Sequence, residues 1–223
     1  MEHHSNIVPW HFLRERQGVK KGGRALLAAG AGADPAAREA AAGLRTLLAE
    51  HCQVDPRSVH AMILGAAGML GAKLARALGA GAVPGVARLT LVDIVEPKPV
   101  DGLECTCLAR DLAAPETLED LASRRPDVVF HLVAVVSGQA EAEFDLGYAI
   151  NLDLTRRLLE ASRGLGTAPR LLFSSSLAVY GPPFPPVVPE DFVPRPASSY
   201  GVQKAMAELL VADYTRRGFV RGT

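Results

Sequence analysis

From Ser58 onward the apolar positions of this chain follow two alternating rhythms. Short, nearly unbroken apolar runs bounded by glycine or charged residues give way to stretches in which apolar residues return every three or four positions. Val59 to Leu64, Arg88 to Asp93, Glu104 to Leu108, Asp127 to Val135 and Arg170 to Ser175 read as strands. Leu70 to Leu78, Phe144 to Arg163 and Ser198 to Arg217 read as helices. The segment Asp127 to Val135 is very apolar and so belongs at the sheet centre. Strands without polar alternation are covered on both faces, and alternation with helices gives βαβ units, so the pattern predicts an α/β fold around a parallel sheet. The stretch Pro182 to Pro196 can enter neither a ladder nor a helix interior and is expected to be a surface loop beside the site.

Residues 1 to about 57 have a different texture. Ala25 to Ala49 is dense in alanine and glycine and carries no strand-like alternation. Asp34-Pro35 offers an N-cap and first helical position for a helix over Ala36 to Glu50, with Leu44, Leu47 and Leu48 on one stripe. The expected division is therefore an N-terminal extension over 1–57, irregular or helical, and one domain over 58–223.

Composition narrows the classes of partner. The chain has 223 residues, 48% hydrophobic and 22% charged, with 24 Lys and Arg against 24 Asp and Glu. That balance provides neither a field for nucleic acid nor a basic face for a membrane surface, and favours a small ligand. The longest apolar runs, such as Val128 to Val136, reach about half of the ~20 residues a bilayer span needs, and that run contains His131. The start, Glu2-His3-His4, lacks an apolar signal core, so the expected location is cytoplasmic. Cys52, Cys105 and Cys107 read as free thiols, because a lone C-x-C pair cannot close a tetrahedral zinc site; no metal is expected.

The chemistry is carried by the order of a few short motifs. Gly65, Gly68 and Gly71 follow an apolar strand and open a helix at Met69 and Leu70, where a diphosphate can approach backbone N–H groups and the helix dipole. Asp93 ends the second strand about 20 residues further on, where a carboxylate accepts from ribose hydroxyls and repels a 2′-phosphate, favouring NAD over NADP. Asp111 and Leu112 follow the third strand, beside the expected adenine edge. Tyr200 and Lys204 share a helix face at i and i+4, and a neighbouring ammonium is expected to lower the phenol toward phenolate. Ser176, after Ser174 and Ser175 at the end of the fifth strand, can exchange a hydrogen bond with a substrate oxygen. Together these predict a Rossmann-type, doubly wound sheet with a nicotinamide-dependent redox site.

Gly65-Ala-Ala-Gly-Met-Leu-Gly71, Phe130-His131-Leu132, Asn151-Leu-Asp, Ser174 to Gly181 and Tyr200-Gly-Val-Gln-Lys204 resemble the extended short-chain dehydrogenase/reductases, the NAD-dependent epimerase/dehydratase family. Within it, His131 to Glu141, Phe144 to Tyr148 and Tyr214 to Phe219 resemble the D-erythronate dehydrogenase branch, which oxidises a secondary alcohol of a small sugar acid. The resemblance, over about 58–223, implies Ser176, Tyr200 and Lys204 as the catalytic set with Asn151 supporting. It implies NAD held by Gly65, Gly68, Met69, Leu70, Gly71, Asp93, Asp111, Leu112, Tyr200 and Lys204. It implies acid-substrate contacts at Ser137, Glu141, Ser175 and Ser176, and a homodimer through the helices at Phe144 to Arg163 and Ser198 to Arg217. Family members also add a sixth strand and a C-terminal substrate lobe, both expected to be missing here. Met1 to Gly18 resembles an internal stretch of pyridoxal-phosphate-dependent cysteine desulfurases in which His4 stacks on the cofactor ring; no desulfurase activity is expected, and His3, His4 and His11 are an alternative metal group. Two other readings stand beside the dehydrogenase: a nucleotide-sugar epimerase or dehydratase retaining NAD, and a truncated NAD-binding protein without catalysis.

Overall fold

The computed structural model describes residues 58–189 and 191–223. The expected helix at Ala36 to Glu50, the Met1 to Gly18 stretch with its histidines, and Cys52 lie outside the described residues. In chain order the elements are β1 (Val59–Leu64), α1 (Met69–Gly79), β2 (Val86–Asp93), β3 (Glu104–Ala109), α2 (Pro115–Ser123) and β4 (Val128–His131). There follow α3 (Ser137–Ala142), α4 (Phe144–Tyr148), a π-turn at Ala149–Asp153, α5 (Leu154–Leu165), β5 (Arg170–Phe173), a 3-10 turn at Leu177–Val179, α6 (Ser199–Arg216) and β6 (Arg221–Gly222).

The six strands form one parallel sheet in the order β3-β2-β1-β4-β5-β6. Every residue of β1 is buried because successive side chains enter different cores. Val59, Ala61 and Ile63 pack with Leu74 and Leu78 of α1, whereas Met62 and Leu64 pack with Leu158 and Leu159 of α5 and Ala207 and Val211 of α6. Burial on both faces explains the unbroken apolar run. The chain builds outward from β1 through β2 to β3, then returns to place β4 on the other side. The strand order therefore reverses between β1 and β4, and a crevice opens where Leu64 and His131 lie opposite one another at the strands' carboxyl ends.

The structure corrects the sequence reading in four places. A sixth strand is present: Arg221 N–H donates to Pro169 O at 3.0 Å, Thr223 N–H to Leu171 O at 2.9 Å, and Phe173 N–H to Thr223 O at 2.8 Å. Two residues of ladder are too short to leave a periodic signal. The fourth strand stops at His131 rather than Val135, because the N–H and C=O of Val135 bond to the Asn151 side chain instead of a neighbouring strand. The helix expected over Phe144 to Arg163 is broken into α4, the π-turn and α5, with Asn151 inside the wide turn. Finally, α2 was not expected, since Leu118 and Leu121 alone mark its buried side; Arg157 secures its start by donating to Ala113 O at 2.7 Å and Ala114 O at 3.0 Å.

Candidate active site

The turn from β1 into α1 has room for a ligand only because it lacks side chains. Gly65 has φ +85°, and a Cβ there would lie 3.1 Å from Leu132 C and Val133 N. A Cβ on Gly71 would meet Gly65 O at 2.1 Å, so the helix packs on its own approach loop. Gly68 is the N-cap and supplies no side-chain acceptor. The first-turn N–H groups of Met69, Leu70 and Gly71 therefore have no helical partner, and the dipole adds positive potential where they point. This donor set fits a diphosphate. Met69 is 61% exposed, so its backbone and not a buried side chain marks the position.

Asp93 closes the same loop from β2. Its Oδ2 accepts from Ala67 N–H at 2.9 Å and its Oδ1 from Ile94 N–H at 2.7 Å, so the carboxylate is oriented before any ligand arrives. Asp111 accepts from Ala113 N–H at 2.8 Å and shapes the turn before α2. Leu112 is buried in the core against Leu118 and Leu121, which leaves only its backbone for a ligand.

The second half of the site gathers at the ends of β4 and β5 and the start of α6. Ser198 caps α6 by accepting from Gly201 N–H at 3.1 Å, and the Glu141 carboxylate of α3 accepts from Ser199 N–H. A carboxylate there also complements the helix dipole. Glu141 thus secures the helix that carries Tyr200, and Ser137 lies half-buried in the first turn of α3. Ser174 donates its N–H (3.1 Å) and its hydroxyl (3.2 Å) to His131 O, which leaves its own carbonyl to accept from Lys204 Nζ at 2.9 Å. Lys204 is 1% exposed and its Nζ lies 4.6 Å from the Phe173 ring centre and 5.9 Å from that of Tyr200. Ser176 accepts from Ala178 N–H at 3.2 Å, which leaves its hydroxyl proton for the Tyr200 oxygen. The buried Ser175 Oγ has no partner among the described residues.

Electrostatics here differ from the sequence expectation. Burial raises Tyr200 above its ordinary value, and the Ser176 hydrogen bond opposes that rise. Lys204 does not produce the expected lowering, because burial brings the lysine itself down from 10.5 to about 7 despite the attraction of Glu208. Near neutrality it is only partly an ammonium. The pair therefore meets as a neutral phenol beside a titrating amine.

Asn151, inside the π-turn, has its whole amide engaged. Its Oδ1 accepts from Val135 N–H at 2.9 Å, and its Nδ2 donates to Val135 O at 3.1 Å and Gln203 Oε1 at 2.8 Å. Gln203, Thr155 and the His131 ring were not assigned roles from sequence. Each is a fully buried polar residue marked out only by hydrogen-bond partners distant in the chain, so no local signal was available. Among the described residues no group of three or more His, Cys, Asp or Glu side chains could hold a metal ion. Cys105 and Cys107 lie with sulfurs 3.9 Å apart on β3, and burial, reinforced by Cys105, raises Cys107 to about 11. Among the described residues no helix is long and apolar enough to cross a membrane.

A glycine-lined helix start at the point where the order of a parallel sheet reverses defines a Rossmann-type α/β protein. The chain belongs to the NAD dependent epimerase/dehydratase family, which matches residues 61–223. It is 50% identical over 171 residues to the D-erythronate dehydrogenase of Cupriavidus necator, covering 74% of this chain and 53% of that protein. It is 41% identical over 162 residues to the D-erythronate dehydrogenase of Haemophilus influenzae, covering 72% and 51%. A solved nucleoside-diphosphate-sugar epimerase from Agrobacterium tumefaciens matches with TM-score 0.71 and 44% identity over 77% of this chain and 53% of its own. The chain spans about half the length of the curated relatives it matches.

Proposed function

We propose that this chain is the coenzyme-binding and proton-transfer part of an NAD-dependent dehydrogenase that oxidises a secondary alcohol of a small sugar acid such as D-erythronate. The observation that supports this reading is that Ser176 bonds Tyr200 while Lys204 bonds the neighbouring Ser174 carbonyl, in a chain 50% identical over 171 residues to a D-erythronate dehydrogenase. When bound, NAD supplies the acceptor for the substrate hydride. Met69, Leu70 and Gly71 would hold its diphosphate through backbone N–H groups, Gly65 and Gly68 would leave room for its approach, and Asp93 would hold its adenosine ribose. Asp111 and the Leu112 backbone would border the adenine. Tyr200 takes the hydroxyl proton in its phenolate form, which the Ser176 hydrogen bond favours against burial, Ser176 donates to the oxygen that carries the developing charge, and Lys204 would hold the nicotinamide ribose. Asn151 keeps the floor of the site in register. Ser137, Ser175 and Glu141 would border the substrate side.

The test is NADH absorbance on mixing the purified chain with NAD and a panel of four-carbon sugar acids. Calorimetric NAD binding with no turnover of any acid would remove the activity, and no NAD binding would remove the reading itself. The nucleotide-sugar epimerase reading is favoured by the Agrobacterium structure and by the same residues. It predicts copurifying NAD and conversion of a nucleotide sugar without added coenzyme. A cytoplasmic location and a homodimer through α5 and α6 complete the proposal; light scattering tests the dimer.

A further inference from the structure

A buried chain of hydrogen bonds runs below the catalytic groups and plays no part in the proton transfer described above. The Thr155 hydroxyl donates its one proton to Asn151 O at 3.2 Å. It must then accept from His131, whose Nε2 lies 3.0 Å away. That assignment puts the ring proton on Nε2 and leaves Nδ1 a lone-pair acceptor. Nδ1 is fully buried and has no partner among the described residues. The His131 and Thr155 side chains are both 0% exposed, so bulk solvent does not reach the ring.

The same histidine reaches Lys204 by two routes. Its carbonyl anchors the N–H and hydroxyl of Ser174, whose carbonyl is the acceptor of the Lys204 ammonium. Its ring lies 5.5 Å from Phe173, the ring over which Lys204 Nζ sits at 4.6 Å. We infer that His131 is a positioning residue for Lys204: an uncharged imidazole, fixed in one tautomer by Thr155 and Asn151, that holds the Phe173 ring and the Ser174 carbonyl against the buried ammonium. Burial, with repulsion from Lys204, pushes His131 down to about 3, consistent with an imidazole that carries no charge in the working range. The other titratable groups acting on Lys204 are Tyr200 and Glu208, both on its own helix. The inference rests on the proposed role of Lys204, but its primary readout does not require turnover.

The experiment is NMR of the full chain labelled at histidine and lysine nitrogens, across pH 5 to 10. The expected result is a His131 signal in the Nε2–H form that does not titrate. In Thr155→Val the tautomer is released, and in His131→Phe the Lys204 midpoint falls by about one unit, a tenfold loss in the ammonium to amine ratio. His131→Gln, which keeps a donor and an acceptor, retains most of the wild-type midpoint. A His131 that gains a proton between pH 5 and 8, or a Lys204 midpoint unmoved in both Thr155→Val and His131→Phe, overturns the inference. Should the chain prove inactive, these titrations still decide it; should it be active, the alkaline limb of kcat follows the Lys204 midpoint in each variant.

Discussion

Replacing Lys204 by methionine should remove activity and make the protein more stable in mild acid, with an advantage that shrinks as pH rises. The unfolded chain holds the lysine proton up to about its ordinary 10.5, whereas the folded chain releases it near 7. Between those values the unfolded state binds more protons, so native stability rises with pH across that window. At about 1.4 kcal/mol per unit, burying this amine costs the wild type about 5 kcal/mol at pH 6 and about 2 kcal/mol at pH 9. Methionine fills a similar volume without a charge. It forfeits the bond to Ser174 O and leaves that carbonyl unpaired, a loss of about 1–3 kcal/mol, and it loses the ammonium's contact with Phe173, about 1 kcal/mol. Those offsets make the absolute difference small, but the change between the two pH values is independent of them. Urea midpoints of both proteins at pH 6 and pH 9 should show the variant's advantage falling by about 3 kcal/mol. An advantage that stays constant within 1 kcal/mol would refute the reasoning, because Lys204 would then be titrating alike in both states.

Three further outcomes follow from the same geometry. Tyr200→Phe should lower kcat by at least about 100-fold while leaving urea stability within about 1 kcal/mol, and residual activity within tenfold of wild type would take Tyr200 out of the proton path. Gly71→Ala places a Cβ 2.1 Å from Gly65 O, so either the loop or the helix must move; destabilisation of about 1–3 kcal/mol and loss of calorimetric NAD binding are expected. Asp93→Asn should weaken NAD binding by about tenfold and narrow the gap between NAD and NADP, and unchanged discrimination in competition titrations would show that the carboxylate does not read the ribose.

The parts that sequence made legible are those in which a local rule acts alone. Unbroken apolar runs reported β1 and β4 because both faces are covered, and the Gly65 to Gly71 spacing reported a helix start with no room for side chains. The Tyr200 and Lys204 pair was placed correctly on one helix. What stayed hidden depends on partners distant in the chain. The end of β4 and the break in the expected long helix both arise from Asn151 reaching back to Val135, a pairing that no periodicity announces. The altered titration of Lys204 arises from the depth of its burial, which requires α6 to be docked on β5. Gln203, Thr155 and His131 matter only as a connected set, so no single position advertised them.

The π-turn at Ala149–Asp153 also fixes how this region tolerates insertion and deletion. A wide turn absorbs one residue more than a regular one and keeps its flanks in phase, whereas excising a single residue from the regular winding of α5 has no such outlet and would rotate everything on its amino-terminal side by about 100°. Asn151 would swing away from Val135 while the hydrophobic stripe of α5 kept its seat. Length between Phe144 and Leu165 is thus constrained by angular phase, and this stretch should accept substitutions on its outer face far more readily than any change in residue count.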